Sequence, residues 1–258
     1  MSESLALTSK VTGPGPALLL LHGLFGSLDN WLSHAKTLSE DFTVHLLDQR
    51  NHGRSPHADE WNYPLMSEDL LAYIDNEGIT TASLLGHSMG GKTALTFADA
   101  YPERLEKLII ADITPKRYKP HHDEIIKALL SVPLEKVSQR LEVDEILKKS
   151  IDEVSVRQFL LKGLGRDKEK GFAWKFNLEV ISQNYEEVLK EIPLEDANYL
   201  PTLFIYGGKS NYLNENDLET LPKLFPLAQF VSVPDAGHWL HAENPSVFMK
   251  EVQDFLYT

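Results

Sequence analysis

Residues 83–93 read Ser-Leu-Leu-Gly-His-Ser-Met-Gly-Gly-Lys-Thr, and two motifs with one shared demand overlap there. Each needs a strand, a glycine-bounded turn and then a helix, and this segment offers all three. Gly86-His87-Ser88-Met89-Gly90 has the form G-x-S-x-G, a turn sharp enough to expose a serine hydroxyl at its apex. Gly86 through Thr93 also fits G-x-x-x-x-G-K-[ST], a loop whose backbone amides cradle phosphates. The first motif points to acyl transfer on Ser88, the second to a nucleotide bound with the help of Lys92.

The flanking pattern is that of an α/β chain. Ala17–Leu21 is a continuous apolar run, as expected of a strand buried on both faces. Thr43–Leu47, Ala82–Leu85 and Leu108–Ala111 read as further strands. Met66–Asn76 and Gly91–Tyr101 read as helices between them. Such alternation predicts a mostly parallel sheet with helices on both faces. The rhythm breaks after Asp112. From Pro115 to Asn198 the chain is charged and helical in pattern, through Glu124–Leu130, Leu134–Leu147, Val154–Gly163 and Val180–Lys190, with no strand-like run. That is far more than the roughly dozen residues a single crossover needs. A helical cap over 115–198 is expected, inserted after the strand that ends at Asp112 and dividing the core into 1–114 and 199–258. Strands resume at Thr202–Tyr206 and Gln229–Val233, and a helix near Ser246–Leu256 closes the chain.

Composition narrows the chemistry. The 258 residues include no cysteine, which excludes thiol nucleophiles, disulfides and thiolate metal sites. A net charge of −13 repels nucleic acid and anionic membrane surfaces, so neither is expected as a partner. The opening Met1-Ser2-Glu3-Ser4 lacks a basic region before a long apolar stretch, and a cytoplasmic protein is expected.

Three segments bear on the choice, and the first two favour acyl transfer. His22-Gly23-Leu24-Phe25-Gly26 follows the first core strand, where a turn can aim the Leu24 amide at a developing oxyanion beside the Met89 amide. Pro234-Asp235-Ala236-Gly237-His238-Trp239 follows the last strand and places a histidine after the serine in chain order, as a general base requires. Asp48-Gln49-Arg50-Asn51-His52-Gly53-Arg54-Ser55 reads as a structural turn in which Asp48 and Arg50 pair. The phosphate-loop reading explains none of these. Its one supporting feature is Asp112 after Leu108–Ala111, which resembles a magnesium-holding strand end.

With H-G-x-x-G, G-x-S-x-G and a late Gly-His in that order, nearly the whole chain resembles the α/β-hydrolase superfamily. Around its motifs it is similar to the small capped serine esterases of the YbfF-like group and their mitochondrial relatives. The strings that carry this are H-G-L-F-G-S-L-D-N-W at 22–31, D-Q-R-N-H-G-R-S at 48–55, A-D-I-T-P at 111–115, F-A-W-K-F-N-L at 172–178 and P-D-A-G-H-W-L-H at 234–241. The triad acid of the superfamily usually follows the strand read here as Thr202–Tyr206, but Ser210 stands at that position and Asp217 lies further along. The resemblance implies Asp112 instead, so the expected triad is Ser88, Asp112 and His238, with Asp217 as the competing acid.

The reading that follows is a hydrolase of carboxylic esters or thioesters with short to medium acyl chains, acting through an acyl-enzyme without metal or organic cofactor. Serine at 88 counts against the haloalkane dehalogenases and epoxide hydrolases of this fold, which use aspartate there. Phe25, His87, Trp174, Tyr212 and Trp239 are candidate substrate contacts. Lys116, Arg117 and Lys119 read as a solvated loop within reach of an anionic leaving group, and His121-His122-Asp123 as a solvated helix start. A carbon–carbon bond hydrolase or lyase would need a basic cluster in the pocket, and none is assignable. A nucleotide-binding protein is the remote alternative.

Overall fold

A computed structural model describes residues 4–167, 171–194 and 196–258. The N-terminal Met1-Ser2-Glu3 and four positions of the 115–198 segment lie outside the described residues. The strands are β1 (Ser9–Thr12), β2 (Ala17–Leu21), β3 (Thr43–Leu47), β4 (Ala82–His87), β5 (Leu105–Ala111), β6 (Leu164–Asp167), β7 (Gly171–Trp174), β8 (Thr202–Gly207) and β9 (Ala228–Val233). The α-helices are α1 (Leu32–Leu38), α2 (Tyr63–Asn76), α3 (Met89–Ala100), α4 (Asp123–Leu130), α5 (Arg140–Leu147) and α6 (Val154–Lys162). They continue with α7 (Leu178–Gln183), α8 (Tyr185–Leu189), α9 (Glu215–Leu224), α10 (Leu240–Glu243) and α11 (Pro245–Leu256).

Seven strands form one sheet in the order β1-β3-β2-β4-β5-β8-β9. Only β1 runs antiparallel to its neighbour; every other pairing in this sheet is parallel. Successive side chains point to opposite faces, so each apolar strand feeds two cores. Leu18, Leu20, Val44 and Ile109 pack with α1 and α11, whereas Leu19, Leu21, Leu84 and Ile110 pack with α2 and α3. The expected strands are all present, lengthened by up to three residues at an end. β1 has no counterpart in the sequence reading, because an edge strand of Ser-Lys-Val-Thr with two exposed residues carries no apolar run. Among the described residues no helix is long and apolar enough to cross a membrane.

The segment between β5 and β8 holds α4 to α8, but it is not purely helical. β6 and β7 form an antiparallel pair, with Leu164 opposite Trp174 and Arg166 opposite Phe172. Four-residue strands containing Gly165 and Gly171 show no period that could mark them beforehand. A lone pair of strands is marginal in water. Here Leu164 and Phe172 bury into the segment's apolar cluster, and the Arg166 guanidinium covers the Phe172 ring at 5.1 Å. The expected helices over 134–147 and 180–190 are shorter or divided. The chain turns at Pro133–Lys136 before α5 begins at Arg140, and Asn184 ends α7 by giving both its backbone and side-chain N–H to the Val180 carbonyl.

One apolar cluster joins Ile126, Leu129, Val156, Leu160 and Phe176 of this segment to Leu24, Phe25, Tyr63 and Met89. The segment is therefore packed over the carboxyl ends of β2 and β4. Lys92 fastens both of its stems. Its side chain is buried in α3, and Nζ donates to the carbonyls of Lys116 and Lys190 while lying 4.9 Å from the Tyr118 ring. Burial, with Arg117 nearby, lowers this ammonium from 10.5 to about 7. Between those values the unfolded chain binds a proton that the folded chain does not, so stability from this site rises with pH across the window. Urea unfolding at about pH 7 and about pH 9.5 should show this gain in the wild type and a smaller one in Lys92→Met. Equal gains would remove Lys92 as the cause.

Candidate active site

β4 ends at His87 and α3 begins at Met89, leaving Ser88 alone at the turn with φ 53° and ψ −119°. A non-glycine residue there is strained. The turn is possible because its glycines let three backbones meet. A Cβ on Gly86 would lie 2.2 Å from the Gly90 carbonyl oxygen, and one on Gly90 would lie 2.6 Å from that of His22. Positive φ recurs around the same space, at Phe25 (61°), Asp112 (51°) and Asp235 (59°).

The Ser88 hydroxyl lies 2.9 Å from Nε2 of His238, and Nδ1 of His238 lies 2.7 Å from Oδ2 of Asp112. Asp112 is fully buried at the end of β5, its backbone N–H bonded to the Ile205 carbonyl. Its carboxylate accepts from the Gly207 amide at 3.0 Å and from the Ser210 hydroxyl. Ser210, at the position where the superfamily usually carries its acid, is thus a hydrogen-bond donor to Asp112. Asp217 instead caps α9 through the Asn214 amide and pairs with Lys116. Burial pushes the Asp112 carboxyl up to about 6, opposed by its bonds to Ser210 and Gly207. Burial holds His238 well below its ordinary 6.5, at about 3. The Tyr212 ring stacks on the imidazole at 3.8 Å between centroids and 11° between planes.

The 22–26 turn is held from beneath. His22 Nδ1 donates to the Gly23 carbonyl, and its Nε2 accepts from the Gln49 amide. Gln49 returns a bond from its side chain to the His22 carbonyl and accepts from the Thr93 hydroxyl. The Phe25 amide donates to His52 Nε2. Among the described residues the amides of Leu24 and Met89 have no protein acceptor, and both residues line one cavity with Ser88. Lys92 and Thr93, which a phosphate loop would present to its ligand, face buried protein groups here. Nor does Arg50 pair with Asp48. It binds Asp69 through Nε at 2.5 Å and through Nη2 at 2.7 Å, both residues buried, while Asp48 accepts from the amides of Leu28 and Arg54. Sequence adjacency suggested the wrong partner because Asp69 arrives from α2.

Two cavities of about 20 Å³ each open on Ser88, room for about one water apiece. One is lined by Phe25, His87, Val156, Phe159 and Trp239, the other by Tyr63, Met89, Tyr118, Leu189 and Tyr212. Phe25, His87, Tyr212 and Trp239 each line a cavity that includes Ser88, and His87 also gives Nε2 to the His238 carbonyl at 2.8 Å, bracing that loop. Trp174 does not line either cavity; it stacks on Phe176 at 5.4 Å, a packing role. His122 is not part of a solvated helix start, since it lines both cavities and bonds Tyr185. Lys116 and Arg117 pair with Asp217 and Glu186. A separate concavity of about 1240 Å³ does not include Ser88, and Tyr63 lines both it and the second cavity.

A serine hydroxyl, a neutral imidazole and a buried carboxylate in one hydrogen-bonded line can generate an alkoxide-like nucleophile at a carbonyl carbon. The sequence matches the alpha/beta hydrolase fold family over residues 16–137 and 135–245. It is 37% identical to Esterase YbfF of Escherichia coli over 242 residues, covering 93% of this chain and 92% of that protein. It is 38% identical to the mouse protein named sn-1-specific diacylglycerol lipase ABHD11 over 253 residues, covering 93% and 81%. A solved structure described as a marine microorganism esterase superposes with a TM-score of 0.95 at 41% identity, covering 98% of this chain and all of that one.

Proposed function

The chain belongs to the alpha/beta hydrolase family, and we propose that it is a serine hydrolase cleaving carboxylic esters or thioesters with short to medium acyl chains. Ester hydrolysis is the activity for which relatives matched over most of their length are named. The observation that carries the mechanism is the unbroken line from Ser88 through His238 to Asp112. Asp112 accepts from Nδ1–H, which leaves Nε2 free to take the Ser88 proton as the hydroxyl attacks the acyl carbon. The oxyanion falls to the amides of Leu24 and Met89, and removing one such donor typically costs about 3–4 kcal/mol in barrier. His238 then protonates the leaving group, and a water deprotonated by His238 cleaves the acyl-enzyme. The 115–198 segment acts as the cap that encloses the acyl chain. The partner is a small-molecule ester or thioester in the cytoplasm; the −13 charge disfavours nucleic acid and anionic membranes.

Among the described residues no lysine or arginine lines either cavity at Ser88, which argues against a carbon–carbon bond hydrolase or a lyase acting on a dicarboxylate. The test is covalent: a fluorophosphonate should label the wild type once, at Ser88, and should not label Ser88→Ala. Active protein that stays unlabelled would refute the assignment.

The base must be neutral to work, and burial disfavours the imidazolium of His238. Activity should therefore persist as pH falls through 6.5 and be lost only below it. The acid limb of kcat/KM for a p-nitrophenyl ester measures this directly. A limb centred at or above 6.5 would mean that the Asp112 carboxylate outweighs burial.

A further inference from the structure

The two cavities at Ser88 share three lining residues, Leu24, Ser88 and His122. His122 thus lines both cavities together with Ser88 and Leu24. Its hydrogen bonding is determined by Tyr185. That hydroxyl accepts from the backbone N–H of His121 at 3.3 Å and of His122 at 3.0 Å. A phenolic oxygen has two acceptor sites and one proton. With both acceptor sites engaged, its proton goes to the remaining neighbour, Nδ1 of His122, at 3.0 Å. Nδ1 is therefore an acceptor, and the ring proton of a neutral imidazole must lie on Nε2. Burial, with His121 and His238 close by, lowers this imidazole to about 3, so the neutral form prevails. Among the described residues Nε2–H has no acceptor. Nε2 is not among the buried side-chain atoms without a partner, so water reaches it in the free enzyme, and a substrate that displaces this water must supply an acceptor of its own.

We propose that His122 Nε2–H is a specificity-determining donor that recognises a second oxygen within a few bonds of the scissile carbonyl. The preferred substrates are then esters with an ether, carbonyl or hydroxyl oxygen close to the reacting group, in place of plain alkyl esters. This rests on Ser88 as nucleophile and adds the substrate class.

Matched esters that differ by one CH₂-to-O exchange test it: p-nitrophenyl methoxyacetate against p-nitrophenyl butyrate for the acyl side, and 2-methoxyethyl butyrate against butyl butyrate for the alcohol side. Within each pair, the kcat/KM ratio in the wild type is divided by the ratio in His122→Phe, which cancels intrinsic reactivity. For at least one pair this quotient should be about ten, the size of one neutral hydrogen bond. His122→Gln, whose amide nitrogen reaches about as far as Nε2, should restore most of it. A quotient near one for both pairs, or a Gln variant no better than Phe, overturns the proposal. Should His122→Phe not fold, Tyr185→Phe releases the tautomer without removing the ring, and the same quotient must still exceed about threefold. Fluorophosphonate labelling of the wild type reports separately on Ser88, so loss of the parent reading cannot be mistaken for loss of this one.

Discussion

Ser88→Ala is expected to lower kcat for a p-nitrophenyl ester by about 10⁶-fold, the scale on which removal of a serine nucleophile acts. Loss of one bond to His238 cannot produce that figure; loss of the attacking atom can. The fold should survive, because among the described residues Ser88 Oγ has no bond beyond His238 and the elbow is built by Gly86, Gly90 and the backbone N–H of Ser88 bonded to the Ala111 carbonyl. Strain separates function from stability here. Alanine keeps a Cβ at φ 53°, so its melting temperature should stay near that of the wild type. Ser88→Gly relieves a conformation that costs about 1–3 kcal/mol. That variant should be as inactive as alanine and should melt about 2–4 °C higher for each kcal/mol recovered. Residual turnover above about 1% in Ser88→Ala, with contamination excluded by active-site titration, would mean that another group attacks.

The reason so much of this site was legible in the chain is that parallel strands buried on both faces leave uninterrupted apolar runs, and ligands gather just past their carboxyl ends. Ala17–Leu21 leads to Leu24, Ala82–Leu85 to Ser88, Leu108–Ala111 to Asp112 and Gln229–Val233 to His238. What stayed hidden depends on contacts between distant segments. Asp48 is the acid nearest Arg50 in sequence, yet the partner of Arg50 lies on α2. Lys92 matched a phosphate-loop lysine because nothing local reveals that the carbonyls of Lys116 and Lys190 take its ammonium. His122 looked solvated because its helix start is charged, and only the fold brings Tyr185 and Ser88 to it. The overlapping phosphate-loop signature fails for the same reason: Thr93 supports the 22–26 turn through Gln49, a contact that no spacing encodes.

Asp112→Asn is expected to reduce kcat by about 10⁴-fold, close to 5.5 kcal/mol in barrier, although asparagine has almost the same shape. The hydrogen bonds around the carboxylate dictate how the amide must sit. Oδ1 accepts from the Gly207 N–H at 3.0 Å, so the amide oxygen is held on that side, and turning the amide over would set two donors against each other. The amide NH₂ then occupies the place of Oδ2 and faces Ser210 and His238. The Ser210 hydroxyl can rotate to accept. His238 can accept at Nδ1 only by moving its proton to Nε2, and an Nε2–H cannot take the proton of Ser88. Catalysis fails through the wrong tautomer while the fold remains intact. Gly207 is part of that outcome, because it selects the unproductive orientation of the asparagine. Asp217→Asn is the control: it weakens the pair with Lys116 and the cap of α9 but should leave kcat within about twofold. Steady-state kinetics on both variants, with circular dichroism to confirm folding, decide between the two carboxylates. A large loss in Asp217→Asn beside a small one in Asp112→Asn would move the acid to α9 and leave the 2.7 Å contact with His238 without a catalytic role.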